Sequence, residues 1–272
     1  MSNNPDVSEL ANLSALDFAA VVPSILPSID WRHQNAHWSI QGEVRELLVS
    51  RLGTAPPSLE DPLVSAIHSS LADTTPDAAQ LKFPLVSQII GDLPRECIEP
   101  YRDPLALLVT DPPEGDSGTI RTISEASADI LEFLDASEAW VPRHKCDDLA
   151  IRSLDLLVHT AEEMRPHVPG LLGWLQDPNW PPFPECLRQL ERFPEIVIDP
   201  IREILRSGYD GVWEFPLLQF LQEVPPDLME MAREEVERIV QRPTQSEIDS
   251  EVDVIAIECL QAMDNWAERR KR

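Results

Sequence analysis

Glycine is scarce in this sequence, and long apolar runs are missing. Nine glycines among 272 residues offer few of the exposed backbone amides that nucleotide-binding loops use, and no glycine-rich phosphate-binding loop occurs. No stretch approaches the roughly 18 apolar residues that a membrane-spanning helix needs. The start, Met1-Ser2-Asn3-Asn4-Pro5-Asp6, has neither a basic nor an apolar segment. We therefore expect no secretory signal and no contact with membranes.

Paired cysteines are also missing. Cys97, Cys146, Cys186 and Cys259 stand singly, without the Cys-x-x-Cys spacing of metal or redox sites. Isolated cysteines of this kind are typical of free thiols in a reducing compartment. We therefore expect all four side chains to be buried and unpaired, and the protein to be cytoplasmic.

Negative charge dominates the composition. Asp and Glu number 48 against 22 Lys and Arg, which gives a formal charge of −26. A surface this acidic repels phosphate backbones, so nucleic acid is a poor partner. The same field would attract a basic protein surface. Plain solubility, or the habit of a salt-adapted proteome, is the other interpretation of the charge.

Segments that resemble catalytic or metal-binding motifs lack the residues that the chemistry requires. Gly115-Asp116-Ser117-Gly118 resembles the nucleophile segment of trypsin-like proteases, but that chemistry needs a β-barrel frame with separate His and Asp partners. His33 and His37 have the i,i+4 spacing of a zinc-binding helix, yet the glutamate base is missing and a loop is predicted there. We expect no catalytic centre, no metal and no cofactor.

Hydrophobic periodicity is helical along the chain. Three stripes have spacings of three and four: Leu149, Ile151, Leu154, Leu157, Val158 and Ala161; Leu228, Ala232, Val236, Ile239 and Val240; and Ile248, Val252, Ile255, Cys259, Met263 and Trp266. Asp147, Asp227 and Ser246 precede them and are the predicted N-caps. Alternating β-branched runs and hairpin turns between them are missing. The sequence predicts an all-α protein.

The 26 prolines punctuate these helices. Proline fixes φ near the helical value and lacks an N–H that would be unpaired in the first turn anyway. The prolines predicted to open helices are Pro62, Pro84, Pro104, Pro169, Pro184, Pro200 and Pro216. Short helices that restart at prolines predict a stack of helical hairpins, as in a HEAT-like α-solenoid.

The two halves of the chain resemble each other. Matching segments, in the same order, are Val22-Pro23-Ser24-Ile25-Leu26 with Val168-Pro169-Gly170-Leu171-Leu172, Trp38 with Trp180, Asp61-Pro62-Leu63 with Asp199-Pro200-Ile201, Phe83-Pro84-Leu85 with Phe215-Pro216-Leu217, Leu93-Pro94 with Val224-Pro225, and Glu132-Phe133-Leu134 with Glu258-Cys259-Leu260. The register changes in polar stretches, where loops tolerate insertions. We infer a tandem duplication, with a first module at residues 1–136 that has longer loops and a second at residues 137–272.

The second half also resembles a known family. Pro142-Arg143-His144-Lys145-Cys146-Asp147 and Trp174-Leu175-Gln176-Asp177-Pro178-Asn179-Trp180-Pro181 are similar to the Pro-Arg-x-Lys-x-Asp start and the Trp-Leu-Gln-Asp-x-Asn-Trp-Pro core of an uncharacterised helical family, domain of unknown function 5071. The likeness covers about residues 139–262, and reaches the first half only through its likeness to the second. It implies a bundle of HEAT-like helices and no particular activity.

One segment of the second half is a candidate binding site. We call Trp174, Asp177, Asn179, Trp180 and Trp213 the tryptophan corner. Asp177-Pro178-Asn179 is predicted to end one helix and open a turn, with Asp177 or Asn179 as the cap of the next helix. Trp180 is predicted to pack on the preceding helix. A structural corner and a binding pocket are both compatible with this pattern.

Two functions follow as hypotheses. The first is a non-catalytic interaction protein with an acidic helical surface for another, basic protein, for example an immunity-like inhibitor. The second is a small-molecule-binding or accessory enzyme-like protein of a metabolic pathway that uses the tryptophan corner. The basic terminus Arg269-Arg270-Lys271-Arg272 complements the negative end of a helix macrodipole or forms a nuclear-localisation or acidic-partner patch.

Overall fold

A computed structural model describes residues 6–29, 38–73, 75, 78–208 and 210–270. Within these ranges the regular structure is helical and no strand occurs, so the all-α prediction is confirmed. No helix among the same residues is both long and apolar enough to cross a membrane. His33 and His37, and Lys271 and Arg272, lie outside the described residues.

The chain divides into two compact units, Met1–Ala136 and Ser137–Arg272. The helices of the first unit are α1 (Val7–Ala11), α2 (Ala15–Ile29), α3 (Trp38–Thr54), α4 (Pro62–Ala72), α5 (Ala78–Gln88), α6 (Arg95–Ile98), α7 (Arg102–Thr110) and α8 (Ser117–Asp135). Helix α2 packs on α4 and α5, and α8 packs on α5 and α7. Their contacts bury aliphatic side chains such as Leu26, Ile67 and Ile130.

The second unit has its own core. Its helices are α9 (Asp148–Leu157), α10 (Ala161–Met164), α11 (Val168–Gly173), α12 (Phe183–Glu191), α13 (Ile198–Ser207), α14 (Gly211–Glu223), α15 (Pro226–Glu230), α16 (Arg233–Gln241), α17 (Gln245–Asp249) and α18 (Val252–Arg270). Helix α18 packs on α14 and α16, while α12 packs on α9 and α11. One apolar cluster extends from Ile151 to Met263 and includes Leu171, Leu205 and Leu221.

One of the three predicted helix caps in the second unit is confirmed. Asp147 caps α9 and accepts from the Ala150 N–H, as predicted. The predictions for Asp227 and Ser246 were wrong, because α15 and α17 begin two residues earlier than these caps imply. Each of the two stripes is also broken into two helices. Asp227 lies inside α15, whose N-cap position is Pro225. Ser246 lies inside α17, which Thr244 caps, and α18 starts only at Val252.

Prolines open some of the predicted helices and are embedded in others. Pro62 and Pro169 lie in the first two positions of α4 and α11. Pro84 and Pro216 do not open helices, since they lie inside α5 and α14. Each removes one intrahelical hydrogen bond. Both rings are buried, so apolar burial offsets that loss.

Three of the four thiols follow the expectation. Cys97, Cys186 and Cys259 are free and buried, whereas Cys146 is free and exposed. The prediction for Cys146 was wrong, because this residue lies in the turn before the Asp147 cap rather than on a helix face. Burial raises the pKa of the Cys186 and Cys259 thiols to about 12, which makes both poor nucleophiles.

Candidate functional site

The centre of the tryptophan corner is a pair of indole rings. α11 ends at Gly173, and a short 3-10 turn, Trp174–Gln176, leads away from it. The Trp180 ring then packs edge-to-face on Trp174, with centroids 5.4 Å apart and an interplanar angle of 76°. Such a pair stabilises a corner by about 1 kcal/mol beyond the area that it buries.

The start of the second unit closes over this pair. Trp174 Nε1 donates to the Pro142 carbonyl oxygen at 2.8 Å. Lys145 Nζ lies 5.2 Å from the centroid of the Trp180 ring, within cation–π range. Asp147, nearly fully buried, accepts from the Arg143 backbone N–H at 3.0 Å. The two sequence motifs that carry the family likeness therefore form one folded unit.

The polar residues of the corner shape its turn. Asp177 Oδ1 accepts from the Asn179 backbone N–H at 2.9 Å and from Asn179 Nδ2 at 3.0 Å. Neither caps α12, so that prediction was wrong. The N-cap position of α12 is occupied by Pro182, because a further turn, Trp180–Pro182, separates Asn179 from the helix. Asp177 and Asn179 thus form an Asx turn that links two helices.

Trp213 reaches the same region from α14 but makes a different contact. Its Nε1 donates to the Leu172 carbonyl oxygen at 2.9 Å, near the end of α11. The ring is partly buried against the apolar core, as is that of Trp174. Both of these indole N–H groups are therefore used to tie α11 to its neighbours, and neither is left to bind a ligand.

Sequence reasoning missed a groove that lies between α12 and α14. Helices α12 and α14 border an open concavity of 260 Å³. Its lining residues, which we call the acidic groove, are Phe183, Leu187, Glu191, Pro216, Gln219, Phe220, Gln222 and Glu223. Phe220 and Pro216 form a buried floor, and Glu191 and Glu223 are exposed. The groove contains none of the five corner residues.

Arginines of the second unit are bound to carboxylates of the same unit. These ion pairs include Arg143–Asp147, Arg165–Glu162, Arg188–Asp155, Arg192–Asp155, Arg202–Glu235, Arg206–Glu235, Arg233–Glu230 and Arg238–Glu247. In the part of the chain that is described, Glu191 and Glu223 form no ion pair. Much of the positive charge of this unit is thus paired within it, and the two carboxylates of the groove remain without a cation among the described residues.

A second acidic feature lies inside the protein, beside α17. Glu214 and Glu247 are both fully buried. Arg238 Nη1 donates to Glu247 Oε2 at 3.0 Å, and the Thr244 N–H donates to the same oxygen at 2.5 Å. Burial raises the pKa of Glu214 to about 8, and hydrogen bonding to Glu247 adds to the rise. Both carboxyl groups are shielded from solvent.

The protease-like segment forms the start of α8. Ser117 is the first residue of α8, and Asp116 caps that helix by accepting from the Thr119 N–H at 3.0 Å. A wide cavity of 760 Å³ borders the segment, but the aspartate beside the serine serves as a helix cap rather than as part of a triad. Over the described residues, no cluster of three or more His, Cys, Asp or Glu side chains could hold a metal ion.

The comparison with known proteins agrees with the likeness seen in the second unit. Residues 140–260 match the model of a family described as "Domain of unknown function (DUF5071)". No curated protein matches the chain. The matched range contains both the tryptophan corner and the acidic groove, and it starts just before the Pro142–Trp174 contact.

Proposed function

We propose that this protein is a non-catalytic interaction protein that binds a basic protein partner through acidic helical surface. The observation that carries the proposal is the internal use of arginine in the second unit. Since Arg188 and Arg233 each bind two or more carboxylates of their own unit, the excess of 48 acidic over 22 basic residues stays on the surface as net negative charge. A basic partner is attracted by that field and is oriented by it.

An inhibitor of the immunity type is one form that such a protein takes. A small acidic helical protein can mask the basic active-site surface of a toxin or enzyme without any chemistry of its own. The alternative, a small-molecule or accessory enzyme role at the tryptophan corner, has less support. Trp174 and Trp213 spend their indole N–H groups on backbone carbonyls, and polar groups that converge on a ligand are what such a site requires.

We also propose that the two units are tandem copies of one HEAT-like module. A repeated ion-pair triad supports this. Arg102 Nε donates to Glu99 Oε1 at 2.7 Å and Arg102 Nη1 to Asp135 Oδ1 at 2.8 Å. In the second unit, Arg233 Nε donates to Glu230 Oε1 at 2.6 Å and Arg233 Nη1 to Asp264 Oδ1 at 2.9 Å. In both units the same arginine atoms bind a glutamate three residues earlier and an aspartate of the last helix. The arginine links α7 to α8 in the first unit and α16 to α18 in the second.

This triad also revises the register of the last helix in each unit. In the alignment of the two units, Asp135 corresponds to Asp264. With the same offset the buried residues also correspond: Ile123, Ser127, Ile130 and Leu134 of α8 align with Val252, Ala256, Cys259 and Met263 of α18. The sequence match of Glu132 with Glu258 is out of register with this pattern by three residues. A shift of three residues is nearly one helical turn, so both registers direct the same helix face inward.

Arginine contacts near the start of each unit are similar, with Arg192 one residue before the position that the Trp38–Trp180 register assigns to Arg51. Arg51, on α3, donates to the carbonyl oxygens of Ala11 at 2.6 Å and Leu13 at 3.0 Å, just after α1. Arg192, just after α12, donates to the carbonyls of Leu154 and Val158 at the end of α9. In both units an arginine thus satisfies the open carbonyls at the end of the first helix.

A reducing compartment such as the cytoplasm suits the chain, and we propose that location. Cys97, Cys186 and Cys259 are buried as free thiols, as is usual where disulfides are kept reduced.

Affinity purification of the tagged protein from its native host, followed by mass spectrometry and native mass spectrometry, tests the proposed function. We expect a stoichiometric basic protein that salt releases, because surface ion pairs are screened. A bound metabolite without any stoichiometric protein would overturn the proposal and favour the small-molecule alternative.

A further inference from the structure

The first unit contains an arginine that bridges its own helices. Arg45, on α3, donates from Nε to the Gln88 carbonyl oxygen at the end of α5, at 2.9 Å. Its guanidinium also binds the Asp92 carboxylate, just beyond α5. The side chain of Arg45 therefore spans from α3 to the end of α5 and is held there by a carboxylate and a carbonyl.

The repeat assigns a counterpart to each of these residues. The register that pairs Trp38 with Trp180 pairs Arg45 with Leu187, and it pairs the buried Val44 and Leu48 with the buried Cys186 and Leu190. The register that pairs Leu93-Pro94 with Val224-Pro225 pairs Asp92 with Glu223. Pro94 and Pro225 are the N-cap residues of α6 and α15, with φ near −50° in both. The carboxylate is thus retained in the second unit, and the arginine is replaced by leucine.

The acidic groove lies where this replacement occurs. Leu187 and Glu223 both line it, as does Phe220 near the position of Gln88. A leucine side chain is too short to reach Glu223 from α12 and carries no charge. Glu191 adds a second exposed carboxylate to the same groove. The groove therefore occupies the position equivalent to the Arg45–Asp92 ion pair, but it has no arginine.

The basic side chains closest in sequence to the groove are directed elsewhere. Arg188, next to Leu187 on α12, binds Asp155 Oδ2 at 2.7 Å and Glu185 Oε2 at 2.8 Å. Arg192, next to Glu191, is bound to the Leu154 and Val158 carbonyls. Gln222, on the rim, donates to Glu258 Oε2 at 3.4 Å. Among the groove residues, then, both formal charges are negative.

We propose that the acidic groove binds an arginine side chain of the partner protein, in the place that Arg45 fills in the first unit. The inference rests on the proposed function and names the contact that the partner makes. The guanidinium lies between the Glu223 and Glu191 carboxylates, and the aliphatic stem lies on Phe183, Leu187 and Phe220. The carboxylates supply charge-assisted hydrogen bonds, while the apolar floor excludes water from one side of them.

Arginine fits this groove better than lysine does. A guanidinium is planar, presents five donors in a fixed fork, and stacks on aromatic rings, whereas an ammonium is a compact and strongly hydrated point charge. The rings of Phe183 and Phe220 provide aromatic surface beside the carboxylates. Charge also decides the class of ligand, since two carboxylates without a cation repel phosphates and acidic peptides.

Titration of the isotope-labelled full-length chain, followed by amide NMR shifts, tests this proposal. The probes are the blocked pentapeptide Gly-Ser-Arg-Ser-Gly, the same peptide with lysine in place of arginine, and free L-arginine. We expect shifts at groove amides such as Gln219 and Glu223, with the arginine peptide bound at least about threefold more tightly than either other probe.

One substitution would restore the internal arginine. Leu187→Arg should place a guanidinium beside Glu223, as Arg45 lies beside Asp92, and weaken the arginine peptide about tenfold. Leu156→Arg is the matched control, because Leu156 is 39% exposed on α9 and lies outside the groove. It makes the same change in net charge and should leave affinity within about twofold. The double variant Glu191→Gln/Glu223→Gln should likewise weaken the arginine peptide. Its matched control is the double variant Glu203→Gln/Glu234→Gln, which makes the same change in net charge outside the groove.

Three results would overturn the inference. Equal weakening by Leu187→Arg and Leu156→Arg would mean that the peptide responds to net charge alone. Shifts confined to residues outside the groove would place the contact elsewhere. Equal affinity for free arginine would make the groove a metabolite site. In the first two cases a stoichiometric basic partner from the host would still support the proposed function, so the two failures can be told apart.

Discussion

Glu214 and Glu247 lie side by side inside the second unit, and both are fully buried. As a carboxylate, Glu214 would have no side-chain donor on either of its oxygens among the described residues. A proton on Glu214 gives one of these oxygens a partner, since the neutral carboxyl donates to Glu247. Burial opposes ionisation of Glu247 as well, yet hydrogen bonds from Arg238 and Thr244 hold its pKa below the usual range. A proton thus neutralises one of the two buried acids, and an arginine binds the other.

The raised pKa of Glu214 predicts that stability falls as the pH rises from about 4.5 to about 8. Its folded-state pKa of about 8 lies above the ordinary 4.5. Between these values the unfolded chain has lost the proton and the folded chain has kept it, so the free energy of unfolding falls as pH rises, and levels off above pH 8. Glu214→Gln removes this titration. The free energy of unfolding of the variant minus that of the wild type should therefore be about 2 kcal/mol larger at pH 9 than at pH 6.

Urea unfolding of both proteins at pH 6 and pH 9 measures this difference. Glu203→Gln is the control, because Glu203 is an exposed residue of α13 and its removal should change stability equally at both pH values. A Glu214→Gln variant whose advantage is the same at pH 6 and pH 9 would show that Glu214 is ionised throughout.

The start of α14 is packed against α17 without room for a side chain. A methyl group on Gly211 would lie 2.3 Å from the Ser246 carbonyl oxygen and 2.9 Å from Ser250 Cβ. Gly211→Ala therefore must push α17 away, which also separates Glu214 from Glu247. We expect a loss of about 2–3 kcal/mol in the free energy of unfolding.

Gly173→Ala is the natural comparison for that change. At Gly173 a methyl group would meet no neighbour within 4 Å in the described structure, and alanine favours helix, so stability should stay equal or rise by up to about 0.5 kcal/mol. Thermal unfolding of the two variants compares them directly. A tolerated Gly211→Ala would mean that α14 and α17 are not held in contact as described.

The indole N–H of Trp174 gives the tryptophan corner a measurable role. Trp174→Phe keeps an aromatic ring beside Trp180 but loses the 2.8 Å hydrogen bond to Pro142, which leaves a partly buried carbonyl unsatisfied. We expect a loss of about 1 kcal/mol in chemical unfolding. Trp266→Phe, at a partly buried position of α18 outside the apolar cluster, should change stability by less than about 0.5 kcal/mol. If Trp174→Phe is neutral to folding, the corner is not the structural joint proposed here.

Local patterns in the sequence were enough for the helical class and for some of the caps. Asp147 could be recognised because an acceptor side chain directly precedes a helical stripe. The break between α15 and α16 could not be recognised, because it falls at Met231 and Ala232, where Ala232 is buried like any helix-face residue. A stripe records which side chains are buried, and it does not record whether the backbone between them is continuous.

The acidic groove and the Glu214–Glu247 pair depend on contacts between distant residues. Leu187 and Glu223 are separated by more than thirty residues along the chain, and no local period says that α12 and α14 are neighbours. Glu214 looks like one more surface acid in a chain with 48 of them. The proposed repeat contains a usable signal, since aligning the two halves of the sequence sets Arg45 against Leu187. Its meaning depends on the Arg45–Asp92 ion pair.

That each unit is an independent domain stays a prediction, and the second unit tests it. The apolar cluster from Ile151 to Met263 lies entirely within residues 137–272, as do the Pro142–Trp174 and Arg233–Asp264 contacts. Residues 137–272 expressed alone should therefore unfold in one cooperative transition, with coincident loss of far-UV and near-UV circular dichroism. A fragment that keeps helical far-UV signal but loses near-UV signal would show that its core needs the first unit, because fixed side-chain packing is what the near-UV bands of its tryptophans report.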